Sequence, residues 1–261
     1  ASRTDCPPKP SQPWFLGSPI SVGMNLDMQQ RPAYTEHRLD AYLKMSLSPG
    51  KGLRFGTYYE EVRPDSNGIG VVSRSRVGGL EGMVEHDGRD DRFNPRRGIH
   101  TGANVSWGSV RIGGSRRDRA AVRAPLGTFL PLGRHWVSAL SIHGAVVTQE
   151  NGVPQEARFR LGGSETIRGQ REEAFLATHA VWANLEWRYI LGRRSRIFLF
   201  LDTGVLNDPV ADGQRRLLMP IGFGGGIRAT SGIGLLGLDY GLGKGDGPGQ
   251  GKIHVRMVNE F

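Results

Sequence analysis

The stretch "VWANLEWRYIL", residues 181–191, alternates without a break. Val181, Ala183, Leu185, Trp187, Tyr189 and Leu191 share one face of an extended chain, with Trp182, Asn184, Glu186 and Arg188 on the other. Period-two patterning of this kind predicts a β-strand. A soluble strand usually runs about five or six residues, whereas a tilted membrane-crossing strand needs roughly nine to eleven. Ionised residues held to one face fit a barrel wall that meets lipid on one side and a polar lumen on the other.

The same pattern recurs outward from this stretch. "ISVGMNLDM" sets Ile20, Val22, Met24, Leu26 and Met28 against Ser21, Gly23, Asn25 and Asp27. "RLDAYLKMSL" opposes Leu39, Ala41, Leu43, Met45 and Leu47 to Arg38, Asp40, Tyr42, Lys44 and Ser46. "RIFLFLDTG" places Ile197, Leu199 and Leu201 opposite Phe198, Phe200 and Asp202. Each segment is bounded by Gly, Pro, Asp or Asn, the residues of turns. About twelve strands result, near 18–29, 36–48, 52–63, 68–87, 99–110, 117–131, 135–148, 176–191, 196–206, 218–230, 232–243 and 252–261. A soluble sandwich also alternates, so strand length and charge parity carry the distinction. Trp107, Trp136, Trp187, Tyr189 and Phe261 near strand ends match an interfacial aromatic girdle. The expected fold is an all-β antiparallel transmembrane barrel over residues 17–261, after a flexible polar tail at 1–16.

Composition sets outer limits. The 261 residues include 39 glycines, and only 38% are hydrophobic. A mean hydropathy of −0.37 suits a water-soluble protein and equally a membrane barrel, whose alternation averages to hydrophilic. No run approaches the roughly 18 apolar residues of a membrane helix. The formal charge of +9 raises nucleic acid as a partner. The arginines, however, fall at alternate strand positions and in turns such as "GGSRRDR" and "GRRSR", so nucleic-acid binding is not expected. Cys6 rules out an internal disulfide framework and reads as a free thiol in the tail, lipid attachment being the alternative.

One segment departs from the strand pattern. "FRLGGSETIRGQREEAF", residues 159–175, carries Arg160, Arg168 and Arg171 against Glu165, Glu172 and Glu173, too long and too charged for a hairpin turn. Other candidate sites are weaker. Asp87, Asp90 and Asp91 lack the spacing of a calcium loop, the seven histidines show no ligand spacing, and neither a nucleophile elbow nor a phosphate-binding loop is present. No metal, cofactor or enzymatic activity is expected.

Four motifs in order resemble the carboxy-terminal barrel of the BamA/TamA superfamily of outer-membrane assembly and translocation proteins. "EHDGRDDRFNPRRGIH" (85–100) is similar to that family's D-x-R-D-x-x-x-x-P-x-x-G signature. "RLGGSETIRGQ" resembles its LGG-x-x-x-(V/I/L)-R-G-(F/Y) loop, with Gln170 where the family prefers an aromatic. "ANLEWRYIL" and "RIFLFLDTG" resemble its following strands. The end, "IHVRMVNEF", with Val255, Met257 and Phe261 in register, resembles an assembly signal for outer-membrane barrels.

The resemblance implies a bacterial outer-membrane location, lipid bilayer and assembly machinery as partners, and a loop at 149–175 folded into the lumen. In that reading Gly162, Gly163, Ile167, Arg168 and Gly169 form the loop motif, and Arg168 meets Asp202 first, with Glu186 and Asp239 as further inward acids. Gly222, Gly224 and Gly226 leave room for the loop. Asp87, Arg89 and Asp90 pair at a rim whose turn is shaped by Asn94, Pro95 and Gly98. Seven strands before the loop are fewer than the family's usual eleven, so the chain reads as a reduced twelve-stranded barrel, or sixteen-stranded if amino-terminally truncated; no periplasmic transport-associated repeats precede it. Three functions follow: outer-membrane protein assembly or polypeptide translocation, with a polypeptide substrate; a structural barrel anchoring a protein partner; or a small-solute pore lined by Arg38, Arg54, Arg123, Arg188 and Arg228. The first leads.

Overall fold

A computed structural model describes residues 20–69, 72–209, 215–231 and 234–258. Seven strands come first: β1 (Ile20–Gln30), β2 (Tyr34–Ser48), β3 (Lys51–Pro64), β4 (Ser75–Asp87), β5 (Gly98–Ile112), β6 (Ser115–Pro131) and β7 (Trp136–Gln149). Two short strands, β8 (Phe159–Leu161) and β9 (Phe175–Ala177), lie in the long connection. Then follow β10 (His179–Ile190), β11 (Arg196–Pro209), β12 (Arg215–Leu218), β13 (Ile221–Ser231), β14 (Gly234–Gly243) and β15 (Lys252–Val258).

Twelve of these pair antiparallel in the order β1 to β7, β10, β11, β13, β14, β15, with β12 extending the edge of β11. Sequence neighbours are spatial neighbours throughout, the up-and-down meander of a membrane barrel. Among the described residues β1 pairs only with β2 and β15 only with β14. The sheet curls around its own long connection. Arg119 on β6 reaches Glu60 on β3 across two intervening strands, and the loop meets both β15 and Arg31, just past β1.

Burial runs inside-out relative to a soluble protein. Along β11, Arg196, Phe198, Phe200, Asp202, Gly204 and Leu206 are buried, while Ile197, Leu199, Leu201 and Val205 are exposed. On β1, Val22, Met24, Leu26 and Met28 are all more than 60% exposed. Apolar side chains at these positions are stabilised by transfer into lipid, while the polar lumen must satisfy its own charges.

Three boundaries differ from the sequence expectation. The fourth strand starts at Ser75 rather than near 68, because Asp65 closes a turn by accepting the N–H of Asn67 at 2.9 Å. The strand expected over 176–191 is split at Thr178, whose N–H donates to Asn207 O at 3.0 Å. The strand expected from 218 starts at Ile221. Pro220, which has no N–H for the ladder, separates it from β12. The tail at 1–16 with Cys6, and the terminal Phe261, lie outside the described residues.

Candidate functional site

The connection between β7 and β10 enters the lumen as a small folded unit. A β8–β9 hairpin pairs Phe159 with Ala177 and Leu161 with Phe175, and presents the tip 162–174 to the inner wall. Leu161, Ile167, Ala177, Ala180 and Leu206 form a buried apolar cluster against which Phe159, Phe175 and Trp182 pack. Ile167 is thereby the anchor that positions its neighbour Arg168. Gly162, Gly163 and Gly169 have φ values of +108°, +91° and +80°, a region that favours glycine.

Arg168 is the centre of the site. Its Nε and one terminal nitrogen donate to Asp202 at 2.8 Å each, and its backbone N–H donates to the same carboxylate at 2.9 Å. Its second terminal nitrogen donates to Glu186 at 2.6 Å. Two acids on adjacent strands thus compensate one guanidinium, which is the condition for keeping ionised groups away from water. The planar fork of Arg suits this bidentate grip. Glu186 also accepts from Arg188 at 2.7 Å. Asp239 lies 4.0 Å from Arg168, and its own bidentate partner is Arg228. Asp239 is therefore a supporting charge in the network rather than a direct hydrogen-bond partner of the loop.

The sequence reading missed an aromatic support. The Arg168 guanidinium lies 3.9 Å from the centroid of the Phe200 ring. Gln170 donates to Ile221 O at 3.1 Å. The inward parity of Phe200 was visible in the sequence, and an aromatic two residues before a lumen acid was the available signal.

The glycines of β13 divide in role. A Cβ at Gly222 would lie 1.7 Å from Arg168 O, so this position makes room for the loop. Gly224 and Gly226 instead clear Phe200, Phe198 and Asp239. The second loop-clearing position is Gly241 on β14, where a Cβ would meet the backbone N of Gly169 at 2.6 Å.

The loop also bridges the two ends of the sheet. Arg31, just after β1, pairs with Glu173, and Arg160 donates to the Tyr34 hydroxyl on β2 at 2.7 Å. On the other side Arg256 of β15 donates to Ser164 O and lies 3.5 Å from Glu165. His254 Nδ1 of β15 lies 3.2 Å from Glu172. Val255 and Met257 point outward on β15.

At the opposite rim, the turn between β4 and β5 is closed by its own acids. Asp87 grips Arg89 through two bonds of 2.8 and 2.9 Å. Asp90 accepts the backbone N–H groups of Arg96 and Arg97, and Asp91 those of Phe93 and Asn94, rather than pairing with arginines. Partial burial opposes the charge on Asp90, yet those backbone donors hold its carboxyl below the usual carboxylate range. Asn94 and Pro95 are buried, and Gly98 has φ +112°.

Between loop and wall remains a polar cavity of about 600 Å³ touching β1 to β7. Of the five inward arginines, Arg38, Arg54, Arg188 and Arg228 pair with carboxylates. Arg123 leans over the Phe159 ring at 5.0 Å.

A family model described as the Omp85 superfamily domain matches residues 9–261. Among solved structures, the chain is similar to BamA from Haemophilus ducreyi lacking POTRA domains 1-3. The TM-score is 0.74 at 15% identity, over 93% of this chain and 59% of that one. The chain therefore spans somewhat under two thirds of that structure. A second likeness, to the beta domain of the Bordetella autotransporter Brka, has a TM-score of 0.34 at 16% identity, over 91% of this chain and 95% of that one, and carries no argument. No curated protein matches the chain.

Proposed function

Because the chain belongs to the Omp85 superfamily, we propose that this outer-membrane β-barrel serves protein assembly or polypeptide translocation rather than enzymatic chemistry. The observation that carries the reading is the pair of terminal strands, β1 and β15, each hydrogen-bonded on one side only among the described residues. An unpaired strand edge offers backbone N–H and C=O groups to an incoming strand, so a seam of this kind can template β-augmentation. The loop, which pairs with Arg31 just past β1 and with His254 and Arg256 of β15, is placed to set how readily the two edges part.

A second reading, a structural anchor for a partner protein, is favoured by the plugged lumen, whose residual cavity of about 600 Å³ is small for a polypeptide. The pairing of four of the five inward arginines removes the charge bias on which an anion-selective pore would rest.

The test is reconstitution of the full chain in liposomes, followed by the folding rate of a second, unrelated barrel added in urea. Assembly activity predicts faster folding than in empty liposomes, lost when β1 and β15 are cross-linked. Unchanged folding together with stable co-purification of one partner would favour the anchor instead.

A further inference from the structure

One rim of the barrel carries a dense cluster of arginines. The turn of residues 87–97 folds onto the turns at 132–135 and 191–195: Asn94 donates to Gly192 O and Arg193 O at 3.3 Å each, and Arg96 donates to Arg134 O. Arg196 locks the arrangement from β11, donating to Phe93 O at 2.9 Å and Asn94 Oδ1 at 3.1 Å. Residues 87–97, 132–136 and 191–196 hold eight arginines against three aspartates, a surplus of five out of the formal +9. At the other rim the connection 150–178 carries five glutamates against four arginines, while the turn 111–118 holds three arginines against one aspartate.

The three aspartates do not neutralise this surplus. Asp90 and Asp91 accept backbone N–H groups of their own turn, and Asp87 pairs with Arg89 and Arg92. Arg97, Arg134 and Arg193 are exposed and have no carboxylate within ion-pair distance among the described residues. Each lies two residues from an exposed apolar side chain: Ile99 beside Arg97, Leu132 and Trp136 beside Arg134, Leu191 beside Arg193. The three arginines thus follow or precede lipid-facing side chains along the chain, Arg134 next to the Trp136–Tyr189 edge-to-face pair, whose centroids are 5.0 Å apart.

We propose that this rim binds anionic phospholipid headgroups of the adjoining leaflet through Arg97, Arg134 and Arg193. A guanidinium fork matches a phosphodiester, and basic residues beside a membrane are drawn to an anionic surface. The flanking apolar side chains distinguish a lipid from an acidic protein. A protein docking on the face of the rim would meet the turns, whereas these arginines flank side chains that already sit among acyl chains. Held in this way, the rim fixes the depth and tilt of the barrel on the side away from its seam.

The experiment is lipid retention by the full chain. Protein is extracted gently from phosphatidylcholine vesicles containing a minor share of phosphatidylglycerol, and the retained lipid is weighed by native mass spectrometry. The expected result is retention of phosphatidylglycerol several-fold above its share of the bilayer. The enrichment is lost in R97Q/R134Q/R193Q and kept in R111Q/R116Q, at the opposite rim. If the triple variant fails to fold, judged by the electrophoretic shift on heating, R134Q alone replaces it. In the unaltered chain the enrichment falls when salt shortens the Debye length from about 10 Å to about 3 Å. No enrichment, or equal enrichment in the rim variants, overturns the proposal. Arginine-dependent binding of poly-glutamate without phosphatidylglycerol enrichment overturns it too, and makes the rim a protein-docking face.

Discussion

Arg168 places three hydrogen-bond donors on the single carboxylate of Asp202, its backbone N–H at 2.9 Å and two guanidinium nitrogens at 2.8 Å each. Asp202 has no solvent exposure. The bond fixes loop backbone and loop side chain together, so the tip of the connection has one seat in the lumen. Removing one member of a buried ion pair costs about 3–5 kcal/mol, since the other is left unpaired. Asp202→Asn and Arg168→Ala should each lower the urea midpoint of barrel unfolding correspondingly, measured by the heat-dependent gel shift. The double variant Arg168→Met/Asp202→Leu should recover much of the loss.

Phe200 carries the guanidinium on its ring face at 3.9 Å. Phe200→Leu keeps most of the apolar volume and removes the ring, so a loss of about 1–2 kcal/mol is expected from a desolvated cation–π contact. Restoring an aromatic on the loop side through Gln170→Phe should not compensate, because Gln170 is committed to Ile221 O. The same unfolding assay measures both.

Gly222 leaves the space that Arg168 O occupies. Gly222→Ala is predicted to displace the loop from its seat and expose 162–174 to added protease. Gly225→Ala, whose Cβ would meet its nearest neighbour at an ordinary 3.4 Å, should leave the loop resistant.

The loop's glutamates hold both ends of the sheet. Glu173→Gln removes the charge partner of Arg31, and Glu165→Gln that of Arg256, which keeps its bond to Ser164 O. These pairs are partly exposed, so each contributes at most about 1 kcal/mol. Faster backbone amide exchange in β1 for the first variant, and in β15 for the second, is the expected outcome. Exchange that rises equally across all strands would instead report global loosening.

The strands were legible because a lipid-facing wall demands strict alternation, and "VWANLEWRYIL" and "RIFLFLDTG" supply it. The lumen pairing of Arg168 with Asp202 and Glu186 was reachable from parity together with a family motif. Parity alone does not choose among acids that share a face. Asp239 shares the inward parity of Asp202, and the stagger of β14 against β13 hands it to Arg228. The β8–β9 hairpin was not legible, since three-residue strands carry no periodicity and their pairing depends on packing around Ile167. The contacts between the loop and Arg31, His254 and Arg256 join residues far apart along the chain, which local patterns do not encode.

The most direct test of the account is the accessibility of Ile167, which has no solvent exposure beneath the seated loop. In a Cys6→Ser background, Ile167→Cys is treated with a membrane-impermeant maleimide in intact proteoliposomes, with Glu165→Cys as the exposed reference. The account predicts labelling of position 165 and protection of position 167, with the protection lost when Asp202→Asn is added. Equal labelling of the two positions with Asp202 intact would contradict a loop held in the lumen by Arg168.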